Sequence, residues 1–133
     1  MATRLPRHGD RGFSLVELLV VVVIIGVLAS IAVPVFLRQR ESGWRAAVES
    51  DIKSAVTAIE HGATRHSGEY GFAAGFDENS AVLAAGGFNG SPDVEFVVTA
   101  TDTEFTVTGQ HVRLANAPLT AVYDSAAGTI TWS

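Results

Sequence analysis

Residues 13–37 read FSLVELLVVVVIIGVLASIAVPVFL, a run of 25 positions with one charge, Glu17. About 20 apolar residues in a helix cross a bilayer core, so the run is long enough to span. Ahead of it lies MATRLPRHGDRG, where Arg4, Arg7 and Arg11 outweigh Asp10; behind it come Arg38, Arg40 and Arg45. Three arginines on each flank leave the positive-inside rule tied. Three readings of the run compete. A secretory signal would end near the small residues Ala29-Ser30-Ile31-Ala32, but its apolar part is about 7–15 residues long and should not open on a glutamate. An uncut single-span anchor is the plainest reading. The third is an anchor whose basic leader is cut where charge gives way to apolarity, between Gly12 and Phe13.

Glu17 discriminates among these. A carboxylate inside an apolar span is costly and marks function unless it snorkels to the headgroups or is simply protonated. Cutting after Gly12 frees the amine of Phe13, four residues upstream and on the same helical face. If many such helices pack with an axial stagger, Glu17 reaches the amine of a neighbour instead. At low dielectric that ion pair favours one register over others.

Composition narrows the rest. The chain has 133 residues, 47% of them apolar and 17% charged, with mean hydropathy +0.28. That suits one modest domain with a part lying outside water. The net charge of −5 argues against phosphate-binding stripes and gives no specific nucleic-acid partner. The absence of cysteine removes disulfides, thiol nucleophiles and Cys-ligated metals.

After Leu37 the pattern becomes an amphipathic helix. Trp44, Val48, Ile52, Ala55, Val56, Ile59 and Ala63 recur at three- and four-residue spacing, with Arg45, Glu49, Asp51, Lys53 and Glu60 on other faces. Glu49 and Lys53 form an i, i+4 pair. One helix is expected from Phe13 to about His66. Residues 68–92 read as loop, with a turn of helix at Ser80–Ala85. Val94-Phe96-Val98-Ala100, Phe105-Val107, Leu119-Ala121-Tyr123 and Ile130-Trp132 alternate as strands. The short link Thr101-Asp102-Thr103 suits a hairpin, and the turn Asp124-Ser125-Ala126-Ala127-Gly128 leads into the last strand. The apolar face of this meander should cover the stripe on the helix.

The junction Gly12-Phe13-Ser14-Leu15-Val16-Glu17, followed by the Val/Ile run, resembles the class III leader junction of type IV prepilins and type II secretion pseudopilins. The likeness continues through Gly26 and Pro34, where the family's filament helices carry helix-weakening residues. It implies an α+β pilin-like fold: a long N-terminal helix, apolar in its first half, packed against a small antiparallel sheet. It also implies cleavage after Gly12 by a prepilin peptidase and N-methylation of Phe13. Loss of Arg4, Arg7 and Arg11 with Asp10 would take the net charge from −5 to −7. The expected organisation is a leader, 1–12; a transmembrane and filament-core helix, 13–37; an amphipathic continuation, 38–66; and a globular loop with four strands, 67–133. The family often closes its C-terminal region with a disulfide, which this chain lacks the cysteines to form. Burial of Trp132 and strand pairing are expected to hold that edge.

Pro34 has no N–H for the carbonyl of Ser30, and Gly26 weakens a helix by about 1 kcal/mol relative to Ala. The segment between them is expected to be helical in a bilayer and to loosen in a filament, a reading taken mostly from the resemblance.

Other chemistry is sparse. His61 and His66 miss the i, i+4 spacing of a helical metal pair. Asp77-Glu78-Asn79 lacks an EF-hand frame, and Asp124 is a single acid in a turn. Asn89-Gly90-Ser91 fits the glycosylation triplet but is more simply turn chemistry. No nucleophile elbow, phosphate loop or paired-carboxylate site occurs. No metal, cofactor or enzymatic activity is expected. The expected role is a structural subunit of a type IV pilus-like filament, built from copies of this chain. It would wait in the cytoplasmic membrane and be assembled at the cell surface by pilus or secretion machinery. The alternatives are a type II secretion or competence pseudopilin, a minor pilin, and, further off, a single-span surface adhesin.

Overall fold

A computed structural model describes residues 12–116 and 118–133. The leader expected at 1–12 therefore lies, Gly12 aside, outside the described residues. The element order is α1 (Leu15–Ala63), a short 3-10 helix (Gly71–Ala73), α2 (Ala81–Ala85), β1 (Val94–Ala100), β2 (Phe105–His111), β3 (Thr120–Asp124) and β4 (Thr129–Trp132). The strands form one antiparallel meander in the order β1-β2-β3-β4. This is the α+β arrangement expected, a long N-terminal helix with a four-stranded sheet packed on it. The chain divides into two compact units, one ending at Arg38 and the other running from Gln39 to Ser133.

In the first unit, α1 carries Pro34 within its helical span. Large apolar side chains from Phe13 to Leu37 are 46–89% exposed. An 18-residue stretch of the helix has mean hydropathy 3.1, and none of it is buried by the chain itself.

In the second unit, Val48, Ile52, Ala55, Ala58, Ile59 and Ala63 of α1 are buried. All but Ala63 join one core cluster with Phe96 and Val98 of β1, Phe105 and Val107 of β2, and Ala121 of β3. Strand alternation places these residues on one face and Glu95, Val97 and Thr99 on the other. The hairpin at Thr101 closes as expected: Ala100 pairs with Phe105, and the Thr101 N–H donates to the Glu104 carbonyl at 2.8 Å. The turn Asp124–Gly128 closes through the Gly128 N–H on the Asp124 carbonyl at 2.8 Å.

Three features differ from the sequence reading. β2 runs on to His111, past Gly109. A Cβ at Gly109 would stand 3.1 Å from Ile52 Cδ1 and 3.4 Å from Phe96 Cβ, so glycine here lets the Ile52 side chain pack directly on the strand without being displaced. Asp51 lies on the buried face, 3% exposed, rather than on a solvated one. Its Oδ2 accepts the Ser91 N–H at 2.6 Å and its Oδ1 accepts the Ser91 hydroxyl at 2.9 Å. Burial of the acid is offset by these two bonds, and they tie the loop before β1 to the helix.

Trp132 is half-buried against the core rather than within it. Its indole N–H donates to Glu49 Oε1 at 3.0 Å. The Arg45 guanidinium sits over its ring, 4.9 Å from the centroid. Arg45 also donates to the carbonyls of Pro118 at 2.6 Å and Asn116 at 3.0 Å, and pairs with Glu41 at 3.3 Å. Without a disulfide, the C-terminal region is held to α1 by this polar clasp as well as by strand pairing. The expected Glu49–Lys53 pair is present at 3.9 Å, with Lys53 well exposed.

Candidate assembly site at the head of the apolar helix

Ser14 occupies the N-cap of α1 and Glu17 the third helical position. The Glu17 N–H donates to Ser14 Oγ at 3.2 Å, and the Ser14 N–H donates to Glu17 Oε2 at 2.8 Å. This is a capping box: two of the four orphan donors at a helix start are satisfied by a reciprocal pair. The Leu18 N–H then makes the first helical bond, to the Ser14 carbonyl at 3.2 Å. The sequence holds this signature, Ser-x-x-Glu ahead of an apolar run. Reading Glu17 for its charge alone overlooked it. The box turns the carboxylate toward the N-terminal end of the helix, one residue short of Phe13. An acid that would otherwise face hydrocarbon thus has a donor within its own chain.

Gly12 and Phe13 precede the cap and are exposed, Phe13 at 89%. A Cβ on Gly12 would meet nothing within 4 Å, and its φ lies outside the left-handed region. Nothing in the described fold demands glycine there. The same holds for Gly26. Pro34 sits inside α1, where it withholds an N–H from the Ser30 carbonyl. One turn earlier the Ser30 hydroxyl donates to the Val27 carbonyl at 2.7 Å.

Several of the other polar residues singled out in the sequence are engaged in local structure. His66 stacks on Phe72, with ring centroids 4.4 Å apart, and does not join His61. Asp77 Oδ1 accepts the Asn79 N–H at 3.0 Å, while Glu78 Oε2 accepts the Phe96 N–H at 3.3 Å at the edge of β1. Asp124 Oδ1 accepts the Ala126 N–H in its turn at 2.8 Å. His111, which the sequence reading passed over, is buried against Trp44, ring centroids 5.3 Å apart.

The geometry is thus an exposed Gly-Phe junction, a capped acid and an uncovered apolar helix. The model of the prokaryotic N-terminal methylation motif matches residues 7–33. The type II secretion system core protein G of Klebsiella michiganensis is 41% identical over 54 residues. The type IV major pilin of Myxococcus xanthus is 42% identical over 53 residues. The type IV major alpha-pilin of Moraxella bovis is 26% identical over 124 residues, covering 93% of this chain and 68% of that protein. The head of the chain carries the N-terminal methylation motif, and its apolar half is similar to type IV pilins and type II secretion core proteins. The first two matches cover 41% and 40% of this pilin-like chain, and it spans 38% and 23% of those two relatives. No solved structure matches.

Proposed function

We propose that this chain is a structural subunit of a type IV pilus-like filament, made as a prepilin and cut between Gly12 and Phe13. The observation that carries the reading is the head of α1: a junction glycine that the described fold does not require, a capped Glu17, and an apolar helix left 46–89% exposed. So large an apolar surface needs lipid or other copies of itself. Before assembly the helix sits in the cytoplasmic membrane; afterwards the same face is covered by neighbouring copies. The chain is then a substrate of the prepilin peptidase and of the assembly machinery, and catalyses nothing itself.

Cleavage creates a positive amine at Phe13, which is N-methylated. The Glu17 carboxylate already lies at that end of the helix and exchanges its Ser14 partner for the amine of a staggered neighbour. Apolar packing supplies cohesion, and the ion pair sets register. Loosening between Gly26 and Pro34 lets the filament stretch. A second reading has support of its own. The proteins similar over the apolar half include core protein G of type II secretion from several bacteria, at 41–46% identity. In that reading the chain forms a short pseudopilus by the same chemistry.

The N-terminal mass of the purified native chain tests processing. A chain beginning at methylated Phe13 supports the reading; one that begins at Met1, or is cut near Ala32, overturns it. Deleting the chain's gene then separates the two readings, since one predicts loss of surface filaments and the other loss of protein secretion.

A further inference from the structure

Asn89 and Gly90 are exposed and lie outside helix and strand. They sit between two anchors. On one side the ring of Phe88 is buried against Phe96, centroids 5.2 Å apart, and the Phe88 N–H donates to the Leu83 carbonyl at 3.0 Å. On the other, Ser91 is held by Asp51 through its N–H and its hydroxyl. Among the described residues, no hydrogen bond engages the Asn89 amide or the Gly90 N–H. Position 90 is tightly packed: a Cβ there would stand 3.2 Å from Phe88 Cζ and 3.3 Å from Phe88 Cε1, so the ring would have to give way by a few tenths of an ångström. The missing Cβ also leaves the Gly90 nitrogen unshielded toward the Asn89 side chain.

We propose that Asn89 is a site of spontaneous deamidation in the folded chain, and that its isoaspartate product releases Ser91 from Asp51. The Gly90 nitrogen attacks Cγ of Asn89 and gives up its proton; the Cγ–Nδ2 bond breaks and ammonia leaves. The resulting succinimide is opened by solvent water at either carbonyl, giving aspartate or isoaspartate at position 89. The net change is amide plus water to carboxylate plus ammonium, with no oxidant or reductant. Both products add one negative charge beside the loop that Asp51 anchors. Isoaspartate also adds a methylene to the main chain between Phe88 and Ser91, whose anchors are spaced for the normal backbone.

Asn79 is the built-in comparison. The nitrogen that would attack it, the Ser80 N–H, is donated to the Asp77 carbonyl at 3.0 Å. Its own side-chain amide donates to Glu78 Oε1 at 2.9 Å. Both asparagines fall in one tryptic peptide, residues 66–113.

The test incubates the full chain, folded in detergent, at mildly alkaline pH, and maps that peptide by mass spectrometry with fragmentation that distinguishes isoaspartate. The expected result is conversion at Asn89 several-fold faster than at Asn79. Converted chains should also melt earlier than unconverted ones, while Asn89→Gln should remain unconverted and melt as the parent does. Two results overturn the proposal. One is an intact Asn89 in the folded chain under conditions that convert it in the denatured chain. The other, which removes the release of Ser91, is isoaspartate-containing chains that melt with the unmodified ones.

Discussion

Replacing Asp51 with alanine removes the acceptor that joins α1 to the loop ahead of β1. Two bonds are lost, at 2.6 and 2.9 Å, both to a side chain only 3% exposed. Hydrogen bonds to a charged group contribute about 1.5–3 kcal/mol each. Ser91 itself is partly exposed, so water recovers some of the loss and the lower value applies, giving about 3 kcal/mol for the pair. For a unit of this size a loss of about 3 kcal/mol lowers Tm by roughly 12–24 °C. Ser91→Ala removes only the hydroxyl bond and should cost about 1.5 kcal/mol, half of that. Trp44 and Trp132 both lie in the same unit, so tryptophan fluorescence of the detergent-solubilised chain reports the transition. A double-mutant cycle isolates the coupling, because Asp51→Ala and Ser91→Ala together should cost less than their sum. If Asp51→Ala melts with the parent chain, or if the two substitutions simply add, the tie between helix and loop contributes nothing.

Trp132→Phe keeps a ring under Arg45 but loses the donor to Glu49, and should cost about 1 kcal/mol; a fluorescence-monitored urea titration of Trp44 reads it. Arg45→Met keeps the stem and releases the Pro118 and Asn116 carbonyls. It should lower Tm more than Trp132→Phe does, as measured by near-ultraviolet circular dichroism. Burial pushes the His111 imidazole below its ordinary value of 6.5; Asp93 opposes this and Arg113 reinforces it. Its Nδ1 accepts the Arg113 N–H at 3.1 Å, a bond that protonation there would break. A depressed histidine binds protons more readily unfolded, so its contribution is full above pH 6.5 and is lost as pH falls below that value toward the folded pKa. His111→Gln should flatten this part of the stability–pH curve, and an unchanged slope would remove His111 as its source.

The apolar run and the strand alternation were legible because each is a local pattern with a fixed period. What escaped were contacts between distant residues that break those patterns. Asp51 counts as polar in any helical wheel, and its partner Ser91 is forty residues away. Gly109 interrupts the apolar alternation of β2, yet its missing Cβ makes room for Ile52 on a helix far earlier in the chain. Burial of Trp132 is the expectation in the absence of a disulfide, whereas its N–H and the cation above it hold it at the rim. The capping box was different. Ser14 and Glu17 are three residues apart, so their pairing is legible in the sequence, although the charge of Glu17 points equally to a partner on another molecule.

That box also shapes the test of register. Glu17→Val removes charge and cap together, whereas glutamine serves in a capping box as glutamate does. Glu17→Gln therefore keeps the helix start and removes only the charge available to the Phe13 amine of a neighbour. The most direct measurement is the amount of filament or pseudopilus formed by cells carrying Glu17→Gln, with the membrane-inserted, processed subunit quantified in parallel. The account predicts normal insertion and cleavage with little or no correctly assembled polymer. Polymers of normal number and helical symmetry from that variant would contradict it.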